Sequence, residues 1–495
     1  MMSPPPTPRV TPRGRVVVLA LMALAILARL IYVMTLERRI YWYDGTEYSR
    51  LALGLLEHGR YVDEAGRASA FWPPGYPLFL AAVYRIFGPS VLAIRVAQSV
   101  LGSLIVALVF AITRRLASPK VGYLAAAATA VYPLYIYSTG AVLPIVLQTA
   151  LVAGAFLLVL RASEKVSVSS ALAGGLLAGW AVLTAPSSFL ALLLFVPWLA
   201  WVRFEAIRPA AASRGGGGKR GAVVLALCLL LPMVLLPGGW AVRNYHALGG
   251  FTLVSTNGGY NLWIGNYPGV TAATGNRKTA PGMEEEEARI WRAHRNEVER
   301  DAAFFREGRR YVLADLPHFF SLTLSKAIHL WRLYPQPMTT DRPRLGLERL
   351  ASILSYGLLL PFSLLWLLLS LRRKRMSVLV LGIFAVYSLI HGVFLSKVRF
   401  RLPIDVFVIA YGTTGFMALL GTLRGVIEGR RPVRARVPDA SGVQPSEAKP
   451  PPARPLSGNP APLPGERSRE RRSSARVPDP GPSGGPGASG GSGRS

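Results

Sequence analysis

The chain has 495 residues, 51% of them hydrophobic and 17% charged, with a mean hydropathy of +0.34. That balance excludes an ordinary soluble domain. The net charge of +30 does not argue for nucleic acid, because the basic excess lies in short loops and a terminal tail, where positive charge sets membrane orientation. A single cysteine, Cys228 in an apolar run, excludes a disulfide framework, and the six scattered histidines have no metal-ligand spacing.

Apolar runs close to the ~20 residues needed to cross a bilayer recur along the chain, without the alternation of a membrane barrel. The expected fold class is therefore an all-α multi-pass membrane protein. The Pro- and Arg-rich start, residues 1–14, reads as a disordered cytoplasmic terminus. The first span covers about 16–36. It lacks a small-residue cleavage site and reads as a retained anchor. A first loop, 37–75, carries "YWYDGTEYSRLA", and "PPGYPLFLAAVYRIFG" after it is short for a full span, reading as a half-embedded or juxtamembrane helix. Further spans are expected near 90–113, 120–138, 141–160, 168–184, 186–203, 221–241, 351–371, 377–396 and 403–423, about ten to twelve helices once short segments are counted.

Arg114, Arg115 and Lys120, then Arg161 and Lys165, then Arg203, Arg208, Arg214, Lys219 and Arg220, and finally "RRKR" at 372–375 occupy alternate short loops. With the N-terminus inside, all of these are cytoplasmic, so the first loop and the segment 242–350 face outward. That gives an N-terminal membrane module over 15–241, an outer-face segment over 242–350, C-terminal spans over 351–424 and a disordered basic tail over 425–495. In the outer segment, "VRNYHALGGFTLVSTNGGYNLWIGNYPG" reads as turns and short extended pieces. "GMEEEEARIWRAHRNEVERDAAFFREGRRYVLADLPHFF" reads as helix, with Ile290, Trp291, Val298, Phe304 and Phe305 along one packing face and the glutamates solvated near the helix start.

Asp44 and Glu47 are one helical turn apart in the first loop, beside the aromatics Tyr41, Trp42 and Tyr43, which suit a membrane–water boundary. A carboxylate held there can act as a general base on a lipid-linked substrate. Equally, Asp44 can simply cap a helix starting near Thr46, with Glu47 exposed.

The order of "DGTEYSRLALGLLEHGRY", "FWPPGYPLFLAAVYRIFG", "RNYHALGGFTLVSTNGGYNLWIGNYPG" and "SKVRFRLPIDVFVIAYG" resembles the bacterial dolichyl-phosphate-mannose protein mannosyltransferase-like family of GT-C membrane glycosyltransferases. The relatives include protein O-mannosyltransferases and the transferase that adds aminoarabinose to lipid A. The resemblance implies a GT-C bundle on the outer face of a bacterial cytoplasmic membrane, moving a sugar from a polyprenyl-phosphate donor to a hydroxyl of a protein, lipid or cell-envelope glycan. It implies Asp44 as the catalytic base, with Glu47 orienting Asp44 or the acceptor. Many relatives have a second acid where this chain has Gly45, some have a lysine before the paired prolines where it has Phe71 and Trp72, and many have a glutamate where "GAVLPIVLQ" has none. A cation must still stabilise the leaving phosphate, and arginine suits it by forming two parallel hydrogen bonds. Arg243, Arg399 and Arg401 stand at outer span ends, where snorkelling to the interface is the alternative; Arg29 and Arg95, within or beside spans, rank below them. No obligatory metal or cofactor is expected, and the partners are the lipid-linked donor, its acceptor and membrane lipids. The rival reading is a transporter or lipid flippase, which should carry paired ionisable groups inside its spans or repeated broken helices. A polysaccharide polymerase or ligase is a third.

Overall fold

Eight helices are long and apolar enough to cross a membrane: Pro12–Met34, Val91–Leu116, Ile145–Lys165, Pro186–Glu205, Arg220–Leu248, Arg349–Ser370, Arg375–Val393 and Val398–Arg424. Two shorter apolar helices, Gly75–Phe87 and Val168–Thr184, accompany them. This computed structural model describes residues 10–207, 217–273, 280–333, 345–372 and 374–427. Among them there is no strand, and Val62 and Ala68 form an isolated antiparallel bridge. Most of the expected disordered ends lie outside the described residues, as do Arg208, Arg214 and Arg373. Within 1–14 the first helix has already begun at Pro12, its N-cap Thr11 accepting a bond from the Gly14 N–H.

The centre of the bundle is the last helix, Leu402–Ile427, which packs on Val91–Leu116, Pro119–Ala130, Ile145–Lys165 and Leu358–Ser370. Its run from Val406 to Tyr411 is wholly buried. A helix apolar all round belongs inside a bundle, where protein and not lipid covers every face. Ile145–Lys165 is enclosed in the same way, with Phe156 against Phe195 and Phe407.

The expected span at 120–138 is corrected. It is two helices, Pro119–Ala130 and Pro133–Gly140, and the next begins at Ile145 instead of near 141. Pro133 holds Tyr132 extended (ψ 116°) and Pro144 stands before the next start. Interrupting a helix inside a membrane frees backbone carbonyls that need donors. Arg29 donates to Ala130 O (3.0 Å), Gln98 to Thr139 O (3.0 Å) and Ala141 O (2.8 Å), and Arg95 to Gly140 O (2.9 Å). Arg95 also takes Glu37 O and Arg39 O, fixing the start of the first loop. The buried cations at 29 and 95 are therefore backbone partners of the broken helix.

The outer segment is helical where turns and extended pieces were expected. Arg220–Leu248 runs on past 242, and Gly258–Asn266 is a helix. The single helix expected after Gly282 is three, Met283–Ala293, Glu297–Ala314 and Leu316–Leu330. Asn296 caps the second, accepting from the Val298 N–H, and Asp315 with Pro317 starts the third. Of the expected packing face, Ile290 and Phe304 are buried, joining Trp263, Tyr267 and Met283 in a small core, while Trp291 and Phe305 are exposed. Lys326 ties this core to the membrane body through Asn266 Oδ1 (3.2 Å) and Phe394 O (3.1 Å).

Candidate active site

The first-loop helix is Tyr43–His58, and its N-cap Trp42 makes no side-chain cap. Asp44 is thus inside the first turn, where the helix dipole favours a carboxylate, and is not the cap of a helix near Thr46. Gly45 is fixed by space: a Cβ there would lie 2.7 Å from Val142 O and 2.7 Å from the Ile40 side chain. The second acid common in relatives does not fit at this position. The turn from Asp44 to Glu47 brings both carboxylates to one large cavity of about 1190 Å³.

Asp44 Oδ2 meets the guanidinium of Arg399 at 3.5 Å, and both side chains are partly exposed to the cavity. Glu47 is nearly buried and pairs with Arg50, which lines the same space. Behind them the Tyr48 ring packs on Trp72 (5.0 Å) and edge-on to Tyr76 (5.3 Å). Burial first, and the Asp44 charge second, push the Tyr48 phenol far above its usual range, so it stays protonated beside the carboxylate. Phe71 and Trp72 are part of an aromatic wall that continues through Tyr260 and Trp291. Tyr260 too is raised, by burial and then by Glu287.

The first loop and the segment after Leu248 dock on each other along the cavity wall. Glu297, at the start of its helix, accepts from Ser69 Oγ (2.7 Å), the Ala70 N–H (2.8 Å) and Thr256 Oγ1 (3.0 Å). The Thr256 N–H donates to Ala70 O. Arg300 lies over Trp291, its guanidinium carbon 3.6 Å from the ring centre, and its pKa is lowered chiefly by burial.

The three arginines nominated for phosphate separate cleanly. Arg399 lines the cavity. Arg243 and Arg401 do not line it, so of the three only Arg399 shares the cavity with Asp44; Arg243 borders a separate, smaller cavity of about 310 Å³. Arg243 donates to Ser69 O (2.7 Å) and Tyr61 O (2.8 Å) and lies over the Tyr61 and Trp240 rings, buttressing the first loop from outside. Arg401 is buried, paired with Asp405 at 3.0 Å, bonded to Leu330 O and Arg332 O and stacked on Tyr356. Each spends several of its guanidinium N–H groups on the protein itself.

Sequence reasoning passed over Lys397, Gln148 and His391, which also line the cavity. Lys397 is the first cation of the "KVRFR" stretch that supplies Arg399. Gln148 is the polar residue ending "GAVLPIVLQ"; its amide donates to Ser188 Oγ (2.6 Å) and the Tyr387 hydroxyl (3.0 Å). Among the described residues no group of three or more His, Cys, Asp or Glu is placed to hold a metal ion.

Residues 72–236 match the family described as dolichyl-phosphate-mannose-protein mannosyltransferase. That is about a third of the chain, starting after Asp44 and ending before Arg399, and it agrees with the resemblance carried by the sequence stretches. No curated protein matches. Among solved structures, the apo oligosaccharyltransferase of Archaeoglobus fulgidus aligns at a TM-score of 0.50 and 14% identity, over 84% of this chain and 52% of that one. The chain thus spans about half the length of that enzyme. ArnT from Cupriavidus metallidurans bound to undecaprenyl phosphate aligns at a TM-score of 0.37 and 15% identity, over 82% of this chain and 79% of the other. The likeness to the archaeal structure is one of fold, and the fold is a GT-C membrane bundle.

Proposed function

We propose that the protein is a membrane glycosyltransferase. It moves a sugar from a polyprenyl-phosphate donor to a hydroxyl of a protein, lipid or cell-envelope glycan, at the outer face of a bacterial cytoplasmic membrane, with both termini inside. The observation that carries this reading is Asp44 paired with Arg399 at 3.5 Å on the wall of a cavity of about 1190 Å³, in a bundle whose residues 72–236 match the mannosyltransferase family. Displacement at a sugar–phosphate bond needs a base for the acceptor hydroxyl and a cation for the leaving phosphate, and this pair holds one of each beside the cavity. Asp44 removes the proton of the acceptor hydroxyl, and its oxygen forms the new bond to the anomeric carbon. The bond from that carbon to the phosphate oxygen breaks, and the electron pair leaves with the polyprenyl phosphate. Arg399, with Lys397 near it in sequence, stabilises the charge that develops there. Attack opposite the leaving group inverts the anomeric centre. Glu47, clamped by Arg50 one turn on, sets the orientation of Asp44 or of the acceptor. The reading needs no metal or cofactor for these steps.

The decisive assay is sugar transfer by purified, reconstituted Asp44→Asn protein. Asparagine keeps the size and most of the hydrogen bonding but cannot take the proton, so turnover should fall by ~10²–10⁴. Donor binding should persist, because the carboxylate serves the acceptor. Near-normal turnover would remove Asp44 from the mechanism. Glu47→Gln should lose less.

A further inference from the structure

The helix Leu316–Leu330, in the middle of the outer segment, is built inside out for water. Phe320, Leu324 and Ile328 are 65%, 62% and 62% exposed, and with the exposed Leu316 they form one stripe at i, i+4 spacing. Between Asp315 and Arg332 the sequence has a single Lys, Arg, Asp or Glu. That residue, Lys326, is buried on the opposite face beside Leu322 and Leu330. A helix on an aqueous surface does the reverse, turning its charge to solvent and its large apolar residues to the core.

The inward face lies along the membrane span Arg375–Val393. A Cβ at Gly392 would lie 2.8 Å from Thr323 O, the Trp331 indole donates to Ser388 Oγ (2.9 Å), and its ring meets Phe384 at 5.1 Å. From Gly392 to Phe384 the span runs ~12 Å deeper, at ~1.5 Å per residue, and the second half of the helix follows it. Fifteen residues reach ~22 Å, short of the ~30 Å hydrocarbon core, so the helix can enter without crossing. Leu389, beside Ser388, is itself exposed on the span, at a depth similar to that of the stripe's inner end.

Lys326 shows how its charge is tolerated there. The ammonium donates to Phe394 O (3.1 Å) and Asn266 Oδ1 (3.2 Å) at the C-terminal end of the span helix, where the dipole favours a cation. Phe394 leads into the stretch that brings Lys397 and Arg399 to the cavity.

We propose that the stripe of Leu316–Leu330 is covered by acyl chains of the bilayer leaflet on the cavity's side, making this helix a half-inserted anchor of the outer segment. Lipid is the occupant that the neighbouring span already requires at that depth, and a large uncharged apolar patch beside a span suits it. The anchor holds the chain just ahead of Arg399, and it stands whether or not the protein transfers a sugar.

Nitroxide labels on the full-length protein in phospholipid vesicles test this. In a Cys228→Ala background, Leu324→Cys and Ile328→Cys are compared with Arg309→Cys, an exposed position on the preceding helix Glu297–Ala314. Oxygen concentrates in hydrocarbon, whereas a nickel chelate stays in water. Collisions with oxygen should exceed those with the chelate at 324 and 328, and the order should reverse at 309. Chelate access at 324 and 328 equal to that at 309 would leave the stripe in water. Immobile labels shielded from both reagents would place a protein, a second copy of this chain included, on the stripe. Either result overturns the proposal. Ser325→Cys, a nearly isosteric change at another exposed position of the helix, repeats the measurement should the larger side chains prove necessary for insertion.

Discussion

At the scale of single residues, the difference between Arg399 and Arg401 decides what each substitution does. The two are separated by one residue in the short 3-10 turn Val398–Arg401, and that turn sends one side chain to the cavity and the other into the core. Arg399 makes a partly solvated pair with Asp44, and pairs of that kind are worth about 0–1 kcal/mol to stability. Arg399→Gln should therefore keep its melting temperature while turnover with a lipid-phosphate sugar falls about ten- to a hundredfold, the cost of a lost charge-assisted contact. Arg401→Ala should do the reverse. It strands Asp405, fully buried with only the Tyr132 hydroxyl left to it, at a cost of about 3–5 kcal/mol. Thermal unfolding in detergent should show the loss, and Arg401→Met with Asp405→Leu should recover most of it by removing both charges. An Arg401→Ala protein that stays folded but cannot use donor would return that residue to the site. The sequence made Asp44 legible, because an acid beside an aromatic cluster after a span is unusual. It could not rank the arginines, since "VRFR" has the same composition whichever way the turn faces. His391 gave no signal at all, because only packing brings it to the cavity wall.

At the scale of elements, the helix Gly258–Asn266 shows why the outer segment misled. "TNGGYN" has the composition of a turn, but Gly259 is there for contact: a Cβ would lie 2.0 Å from Asp301 O in the helix Glu297–Ala314. The glycine admits that backbone, and Asp301 Oδ1 then accepts the Gly259 N–H at 2.6 Å. Burial raises the Asp301 carboxyl above its usual range, outweighing the opposing bonds from the Gly259 and Tyr260 N–H groups. An acid whose folded pKa is raised binds more protons folded than unfolded. Its contribution favours the fold below the ordinary carboxylate value, about pH 4, and is lost as pH rises through the raised folded value. Asp301→Asn keeps an acceptor for Gly259 without the buried charge, so near neutral pH it should melt no lower than the wild type, with any advantage vanishing toward about pH 4. Asp301→Leu should be destabilised throughout, because the Gly259 N–H loses its partner. A lower melting temperature for Asp301→Asn at neutral pH would mean that the charge itself holds the two helices. The broken helix at 119–140 is the opposite case. Pro133 and Pro144 were readable as breaks, and Arg29, Arg95 and Gln98 were the polar residues waiting to serve the freed carbonyls, but a hydropathy window averages over both signals.

At the scale of the whole molecule, the existence and order of the spans were legible because length and apolarity are all that crossing a bilayer demands. The flippase reading asks for paired charges within spans; among the described residues Arg115–Glu164 and Arg375–Glu205 join span ends, and Arg401–Asp405 is a fully buried pair. Its bonds run to Leu330 O, Arg332 O and Tyr132, and neither residue lines the cavity, so it welds helices together instead of marking a path. What the mechanism depends on is sidedness. By the positive-inside rule the cations of the alternate short loops are expected to put the N-terminus inside, and the Asp44 cavity is built jointly by the first loop and the segment after Leu248. The two must therefore share one side of the membrane. Arg292 is exposed on Met283–Ala293, next to Trp291 of the cavity wall, and Lys165 closes Ile145–Lys165 at the opposite expected side. In a Cys228→Ala background, Arg292→Cys should react with an impermeant thiol reagent on intact cells, whereas Lys165→Cys should react only after the membrane is opened. Cys228 lies in a span and is partly buried, so its removal should leave the topology alone. Labelling of position 165 on intact cells, with 292 protected, would put the cavity in the cytoplasm. Asp44 and Arg399 would then face sugar donors of the inner leaflet, and the acceptor would have to be sought there.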